Sequence, residues 1–341
     1  TKHPGTGGLV SKGTITAQLL YEISSPAYLN PDVIAHFDTL KIEDIEKDKV
    51  YISGCRGSSP PKDHKVCINL AGGFRNGMEV ILTGLDIEEK AEVFANALFN
   101  SVGGKNQFDE VSIQLHRTDK ENPSSNEEAM ASLVISVKSM DAELVGRLFS
   151  AKIIELALAN IPGFFAQGGV KSSGPVIVYW PALIDSKHIK EVVHINDQEI
   201  EIIPTSQMDF EDIYYQKEPI EIEEVEMKDE ETINFGDIYG TRSGDKGGCA
   251  NLGVWAKNSK SFAFLIRYLS VDKLKELLPD LRDFSIDRYE LANINSLNFY
   301  IHDILQDGVS SNNRKDGQAK SLGEYLRAKE IRVPKNLLED Q

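Results

Sequence analysis

Cysteine is scarce in this sequence and widely scattered. Cys55, Cys67 and Cys249 are odd in number and far apart. Neither a disulfide framework nor a zinc knuckle fits that spacing, and a reducing compartment is the expectation. Long apolar runs are missing: nothing approaches the ~18 residues of a membrane span. Positive charge is in deficit, with 37 Lys and Arg against 53 Asp and Glu and a formal net charge of −16. Such a chain repels nucleic acid and anionic lipid. There is no EF-hand spacing and no Walker A loop. No signal-like apolar stretch opens the chain, which begins Thr1-Lys2-His3-Pro4 without Met. It reads as a piece of something longer rather than a processed product.

What is present is ordinary for a globular protein: 341 residues, 41% hydrophobic and 26% charged, enough for two or three domains. Helical spacing of Ile15, Leu19 and Ile23 predicts a helix over 11–24. Short strands are expected at 38–41 and 49–53, then a proline-ended loop at 55–61. Residues 62–184 read as one unit: strand 65–70, a turn at 72–77, strand 78–83, a helix from 87 to about 100 capped by Asp86, strands 111–116 and 133–138, a helix capped by Asp141, and strand 176–179. That order is a split βαβ of ferredoxin-like kind. A hairpin-like stretch at 192–203 leads into a strongly acidic tract, read as a solvated linker over 206–231. The element order then repeats over 232–334: strand 232–239, a glycine-rich loop, strand 252–256, helices 259–269 and 271–278, strands 284–291 and 296–302, helix 319–328 and an edge strand at 331–333.

The loop is the most informative stretch. Five of the fourteen residues from Gly240 to Gly253 are glycine, and Arg242, Ser243, Asp245, Lys246 and Asn251 sit between them. Glycines let a ligand approach the backbone, and exposed N–H groups beside Arg and Lys suit an anion such as a carboxylate, a phosphate or CoA. The bland alternative is a glycine-rich hairpin with solvated charges. A plain turn needs only two to five residues. The length and polarity of this segment therefore predict that Arg242, Ser243, Asp245, Lys246 and Asn251 line a pocket or an inter-domain face. Asp245 is a candidate general base and Lys246 its oxyanion partner. Arg56, Arg75 and Arg117 offer guanidinium forks for a carboxylate or phosphate, with internal salt bridges as the alternative. His3, in a glycine-rich turn, is a candidate base or a plain surface residue. Thr1 is an N-terminal nucleophile only if cleavage exposes it, and Cys249 is a thiol nucleophile or a small filler.

Several ordered stretches resemble one family. They are 1–8, Thr16-Ala17-Gln18-Leu19-Leu20-Tyr21-Glu22-Ile23, Tyr28-Leu29-Asn30-Pro31-Asp32, Gly72-Gly73-Phe74-Arg75-Asn76, Arg117-Thr118-Asp119, Pro162-Gly163-Phe164 and Tyr179-Trp180-Pro181. Together they resemble the acyclic terpene utilisation A (AtuA-like) family. Arg242-Ser243-Gly244-Asp245-Lys246-Gly247-Gly248 with Asn251, and Leu322-Gly323-Glu324-Tyr325-Leu326, are similar to that family's C-terminal ferredoxin-like domain.

The resemblance implies an α+β chain with three parts. These are a core over 1–205 containing the split βαβ unit, a junction, and a ferredoxin-like domain over 232–334; the acidic linker over 206–231 departs from the more compact junction that the resemblance implies. It implies a bacterial or fungal protein of acyclic terpenoid or branched-chain acyl-CoA breakdown, a hydratase- or lyase-type enzyme or subunit, or else a scaffold for a carboxylase or dehydrogenase. The expected substrate is a small acyl-CoA or carboxylate. No cofactor, metal, nucleic acid or membrane is expected. A homo-oligomer, a further N-terminal region of the same protein, and a cytoplasmic location (mitochondrial or peroxisomal in a eukaryote) complete the expectations.

Overall fold

The structure, a computed structural model, describes residues 1–158, 161–203 and 229–338. It divides into two compact units. One is Asn69–Val178; the other joins residues 1–68 to the described residues from 179 onward.

The N-terminal segment folds around a short helix, α1 (Lys12–Leu19), with Ser11 and Thr14 forming a reciprocal capping box. The helix stops four residues before its apolar spacing does, because the chain turns at Leu20 and Glu22 enters the left-handed region at φ 57. Strands β1 (Ala27–Leu29), β2 (Ile34–His36), β3 (Lys41–Glu46), β4 (Lys49–Ser53) and β5 (Arg56–Ser58) follow. A 3₁₀ turn at Phe37–Thr39 replaces the strand expected at 38–41. The stretch 55–61 is not wholly loop, since β5 pairs with β2.

The Asn69–Val178 unit is built on the long strand β6 (Asp63–Thr83). The turn expected at 72–77 does not exist. Gly72 and Gly73 sit inside the strand because their neighbours are too close for a side chain: an added Cβ would lie 2.7 Å from Val178 Cγ2 at Gly72 and 2.7 Å from the Ser139 carbonyl at Gly73. Helix α2 (Ile87–Ser101) buries Ile87, Phe94, Leu98 and Phe99 on one face. Asp86 precedes it, but in the left-handed region and without a side-chain capping bond. Strands β7 (Glu110–His116) and β8 (Met130–Ser139) pair antiparallel, with β7 at the edge of the sheet. A π-turn over Leu144–Leu148 then leads into α3 (Phe149–Leu158). Asp141 does cap this turn, accepting from the Glu143 and Leu144 N–H groups. Strands β9 (Phe164–Gln167) and β10 (Gly174–Asp185) close the unit, and the sheet order is β10-β6-β8-β7, with β9 also on β6. In chain order this is 4-1-3-2, the split βαβ arrangement.

The other unit continues with a hairpin, β11 (Glu191–Ile195) and β12 (Gln198–Ile202). The acidic linker expected at 206–231 lies outside the described residues as far as 228. Its last two acids, Glu230 and Glu231, are in strand β13 (Glu230–Asn234). The single strand expected at 232–239 is interrupted: one helical turn, α4 (Phe235–Ile238), separates β13 from β14 (Tyr239–Lys246). Strand β15 (Cys249–Ala256), helices α5 (Ser259–Tyr268) and α6 (Val271–Leu277), strands β16 (Ile286–Leu291) and β17 (Ser296–Ile301), helix α7 (Leu322–Arg327) and strand β18 (Glu330–Pro334) complete the chain.

The sheet order is β14-β15-β17-β16, all antiparallel. Strand β17 lies between β15 and β16, which flank the α5–α6 crossover, so the ferredoxin-like split βαβ is present. The fourth strand is supplied from the wrong side of the chain: β14 fills the edge, while β18 pairs with β13 instead. Ala250, Leu252, Val254, Leu297, Phe299 and Ile301 point to the buried core. Cys249, Asn251, Gly253, Asn298 and Tyr300 alternate to the opposite, polar face.

The segment 20–42 covers part of that polar face. Leu20, Ile23, Leu40 and Ile42 pack with Leu291 and Ile294. Three asparagines hold its backbone. Asn251 Nδ2 donates to the Leu20 carbonyl at 2.5 Å, and Asn251 Oδ1 accepts from Glu22 N–H at 2.8 Å. Asn298 Nδ2 donates to Ser24 O at 3.0 Å. Asn293 Nδ2 reaches Phe37 O at 2.9 Å and Leu40 O at 2.8 Å. Replacing Asn251 by Ala leaves the Glu22 N–H and the Leu20 carbonyl without these partners inside the fold. At about 1–3 kcal/mol for each buried group left unsatisfied, the expected loss is roughly 2–4 kcal/mol, read as a lower urea midpoint at unchanged slope.

Candidate functional site

The glycine-rich segment is not a loop. Residues 239–246 and 249–256 are paired along their whole length, from Tyr239↔Ala256 to Lys246↔Cys249, and only Gly247 and Gly248 form the turn. The glycines inside the strands make room for neighbours. An added Cβ at Gly253 would lie 2.5 Å from Leu20 Cβ, and one at Gly244 would lie 2.7 Å from the Tyr21 ring and 2.9 Å from Glu22 Cγ. The bare backbone of Gly244 thus lets Tyr21 and Glu22 settle against the edge strand, between Arg242 and Lys246 on the same face.

Lys320 joins this group from just before α7. Its position is fixed by Asp316, whose carboxylate accepts from Lys320 N–H, Ser321 N–H and Ser321 Oγ–H at 2.9, 2.8 and 2.5 Å. Ala319, at φ 52, makes the bend. Lys320 Nζ donates to Tyr21 Oη at 2.5 Å, Glu22 Oε1 at 2.5 Å and Asp245 Oδ1 at 2.8 Å. All three of its donors are therefore used. Its charge also sits 4.6 Å from the centre of the Tyr21 ring, and the Arg242 guanidinium lies 4.2 Å from that same centre. Lys246 Nζ stands 5.5 Å from the centre of the Tyr28 ring.

These surroundings fix the protonation states. Burial works against ionising Glu22, but hydrogen bonds from Lys320 and Tyr21 and the charges of Lys320 and Lys246 prevail, so its carboxyl sits below the usual range. Burial also opposes the charge on Lys320, yet its bonds to Asp245, Glu22 and Tyr21 push its pKa up. Lys246 moves the other way. Burial, then the nearby charge of Lys65, lowers it, against the opposing pull of Glu22 and Asp245. Two carboxylates tied to one lysine beside a stacked arginine can move a proton and steady a developing negative charge.

Of the residues singled out in the sequence, Arg242, Asp245 and Lys246 come together here. The lysine bonded to Asp245 is Lys320 rather than its neighbour Lys246. Ser243 and Asn251 serve the fold: the buried Ser243 Oγ accepts from Gly323 N–H at 3.0 Å, and Asn251 is the clamp on Leu20 and Glu22. His3 lies in the exposed N-terminal turn, where its carbonyl accepts from Thr6, and its side chain has no bond to the cluster. Arg56 opens β5 opposite His36, and Arg75 pairs across to Lys138 in the other unit. Arg117, also in that unit, is held bidentate by Asp119 at 2.7 Å and by Glu88. Its fork is already filled, which is the salt-bridge alternative. Thr1 is exposed at the start of the chain, and Cys249 accepts from Asp303 N–H. Tyr21, Glu22 and Lys320 are the partners missed from sequence. They lie between 75 and 299 positions from their partners in the cluster, outside any glycine-rich signal, and only the fold joins them.

Comparison with known proteins bears on the chain as a whole. Residues 1–195 match the model of the acyclic terpene utilisation family protein AtuA, and residues 233–332 match that of the AtuA ferredoxin-like domain. No curated protein and no solved structure matches.

The ion-pair geometry has a pH consequence. Because the folded state lowers the Glu22 pKa, its share of stability is full above the unfolded carboxyl value and is lost as pH falls through the folded value. Lys320→Met removes that share. The variant is expected to show a Glu22 side-chain carboxyl titrating at higher pH by ¹³C NMR, and a shallower loss of stability on acidification than the wild type.

Proposed function

The chain belongs to the acyclic terpene utilisation family AtuA, and from that premise we propose that it is an enzyme, or enzyme subunit, of acyclic terpenoid or branched-chain acyl-CoA breakdown. The reaction class is that of a hydratase or lyase. The observation that carries this reading is Lys320 bound at once to Tyr21, Glu22 and Asp245, with Arg242 stacked alongside.

In a hydration the carboxylate of Asp245 or Glu22 takes a proton from water while the water oxygen bonds to the β-carbon of an α,β-unsaturated thioester. The electron pair of the double bond passes to the carbonyl oxygen; as the enolate collapses back to the thioester, the α-carbon takes the proton held by the carboxylic acid, which returns to the carboxylate. The lyase direction runs the same steps backward. Lys320 orients both carboxylates and favours the ionised form of Glu22. Arg242, which donates no hydrogen bond among the described residues, has donors for the oxygen that gains charge, whereas those of Lys320 are taken. The three free cysteines fit a reducing compartment such as the cytoplasm or an organelle matrix. No helix among the described residues is long and apolar enough to cross a membrane.

The saturation of Lys320 also supports a second reading, a non-catalytic partner of a carboxylase or dehydrogenase in which the cluster only fastens 21–22 to β14. Steady-state assay of terpenoid and branched-chain acyl-CoA thioesters separates the two. The enzyme reading expects Asp245→Asn and Glu22→Gln to lower kcat by ~10²–10⁴, the usual worth of a positioned acid or base, in protein that stays folded under the assay conditions. No turnover by the full-length protein, together with capture of a carboxylase, would establish the scaffold.

A further inference from the structure

Acids outnumber bases in this protein, and some of its lysines find one. Lys120 holds Glu128, Lys138 holds Glu110 and Lys273 holds Glu276. Two lysines at one end of the polar sheet face do not. Lys246 Nζ stands over the Tyr28 ring, and Lys65 Nζ stands 5.4 Å from the centre of the Tyr179 ring. Neither ammonium meets a hydrogen-bond acceptor among the described residues.

The Tyr179 ring rests on the β14–β15 turn. A Cβ added to Gly247 would lie 2.9 Å from Tyr179 Cε1, and one at Gly308 would lie 3.1 Å from Tyr179 Cβ. The Tyr179 N–H donates to Asp307 O at 3.1 Å and fastens the residue there. Lys65 is thereby carried to the turn that Lys246 flanks. Burial and the charge of Lys65 disfavour the charge on Lys246, and Glu22 and Asp245 only partly offset them. A like-charged pair with its donors unused, in a chain of net charge −16, is a costly arrangement unless an anion completes it.

We propose that Lys65 and Lys246, on the Tyr179 and Tyr28 rings, form a binding site for a phosphate monoester at the Gly247–Gly248 turn. Charge selects the ligand class. Two adjacent ammonium groups call for nearly two negative charges. A phosphomonoester carries about −1.5 to −2 at neutral pH, whereas a carboxylate carries one. Lysine suits phosphate as a point charge with three rotatable donors. Arg242 and the Lys320 cluster stand on the same edge strand, so a ligand bound here places the rest of its length along the candidate catalytic residues. CoA carries a 3′-phosphate monoester. Identifying the ligand as CoA rests on the acyl-CoA reading above; the phosphate site itself rests on the lysine pair.

Isothermal titration of the full chain with adenosine 3′,5′-bisphosphate, adenosine and inorganic phosphate tests the site. The bisphosphate and inorganic phosphate are expected to bind, and adenosine is not. Lys65→Met and Lys246→Met should each weaken the bisphosphate at least tenfold, and Lys65→Arg should retain it. A bisphosphate affinity tighter than that for inorganic phosphate marks a nucleotide rather than a free anion as the source. No bisphosphate binding by the wild type, or binding within twofold of wild type in both Met variants, overturns the proposal.

Acyl-CoA and acyl-pantetheine thioesters then distinguish the two readings. Lys65→Met should raise KM for the CoA thioester alone. Phosphate binding lost in Lys65→Met without turnover of any thioester keeps the site and removes the enzyme. Equal kcat/KM for both thioesters, without bisphosphate binding, keeps the enzyme and removes the site.

Discussion

The side-chain amide of Asn251 is the interaction on which the rest of the candidate site depends. It is fully buried and bonds the Leu20 carbonyl, the Glu22 N–H and the Asn298 amide oxygen together. The bond to Glu22 supports a non-glycine residue in the left-handed region, a conformation that needs support from its surroundings to persist. Glu22 in that conformation directs its carboxylate, and Tyr21 its hydroxyl, onto Lys320. The row of bare glycines at 244 and 253 is the steric counterpart of the same contact, since a methyl group at either would collide with residues 20–22. Strand pairing, the polar face and the chain reversal after α1 thus converge on one amide.

Charge is distributed unequally among the cations that result. Lys320 spends every donor on protein acceptors and is a positioning residue. Arg242 is supported by a tyrosine face, which contributes ~0.5–1 kcal/mol at exposed sites, but leaves its fork open. Lys246 is likewise ring-supported and is disfavoured as a cation by its burial and by Lys65. A cluster built only for stability would pair its cations with the acids in excess elsewhere on the chain. Here one cation organises the carboxylates and the others keep their hydrogen-bonding capacity.

Much of the architecture was legible in the sequence. Apolar periodicity and turn residues give the order of strands and helices in 62–184 and in 259–302, and that order identifies the split βαβ pattern twice. The errors cluster at glycine. Gly72-Gly73 and Gly240–Gly253 carry the composition of turns, yet both lie mostly in strands, because a glycine that admits a close neighbour has the same letter as one that admits a positive φ. In the second stretch only Gly247 has φ in the left-handed region. The site was half legible for a related reason. Arg242, Asp245 and Lys246 are conspicuous beside the glycines. Tyr21, Glu22 and Lys320 look like ordinary surface residues of a helix end and a polar loop. Lys320 is 75 positions from Asp245 and 298 from Glu22, a separation that no local pattern encodes. Arg117 shows the converse: it stands out in a polar loop, but its charge is spent on Asp119 two residues away.

The unusual source of the edge strand explains why the site is where it is. In the usual split βαβ order the last strand returns beside the first, and its loop is tied to the second helix. Here that place is taken by β14, the partner of β15 across a two-residue turn. A hairpin edge has two consequences. Its outer rim is free of strand pairing, so Lys320 and α7 can wrap around it and reach Asp245 and Thr241 from the side; an added Cβ at Gly323 would lie 2.7 Å from Thr241 Oγ1. Its turn also extends past the sheet, where Tyr179 rests on Gly247. Residues from 21–28, 65, 179 and 320 can therefore meet along one strand without interrupting the core. The face of the sheet opposite α5 and α6 needs no apolar cover of its own there, because the alternation of β15 and β17 has already turned Cys249, Asn251, Asn298 and Tyr300 toward it. A polar sheet face with a free edge and a short turn can accumulate charged side chains at little expense to packing, and the candidate functional residues of this protein lie there.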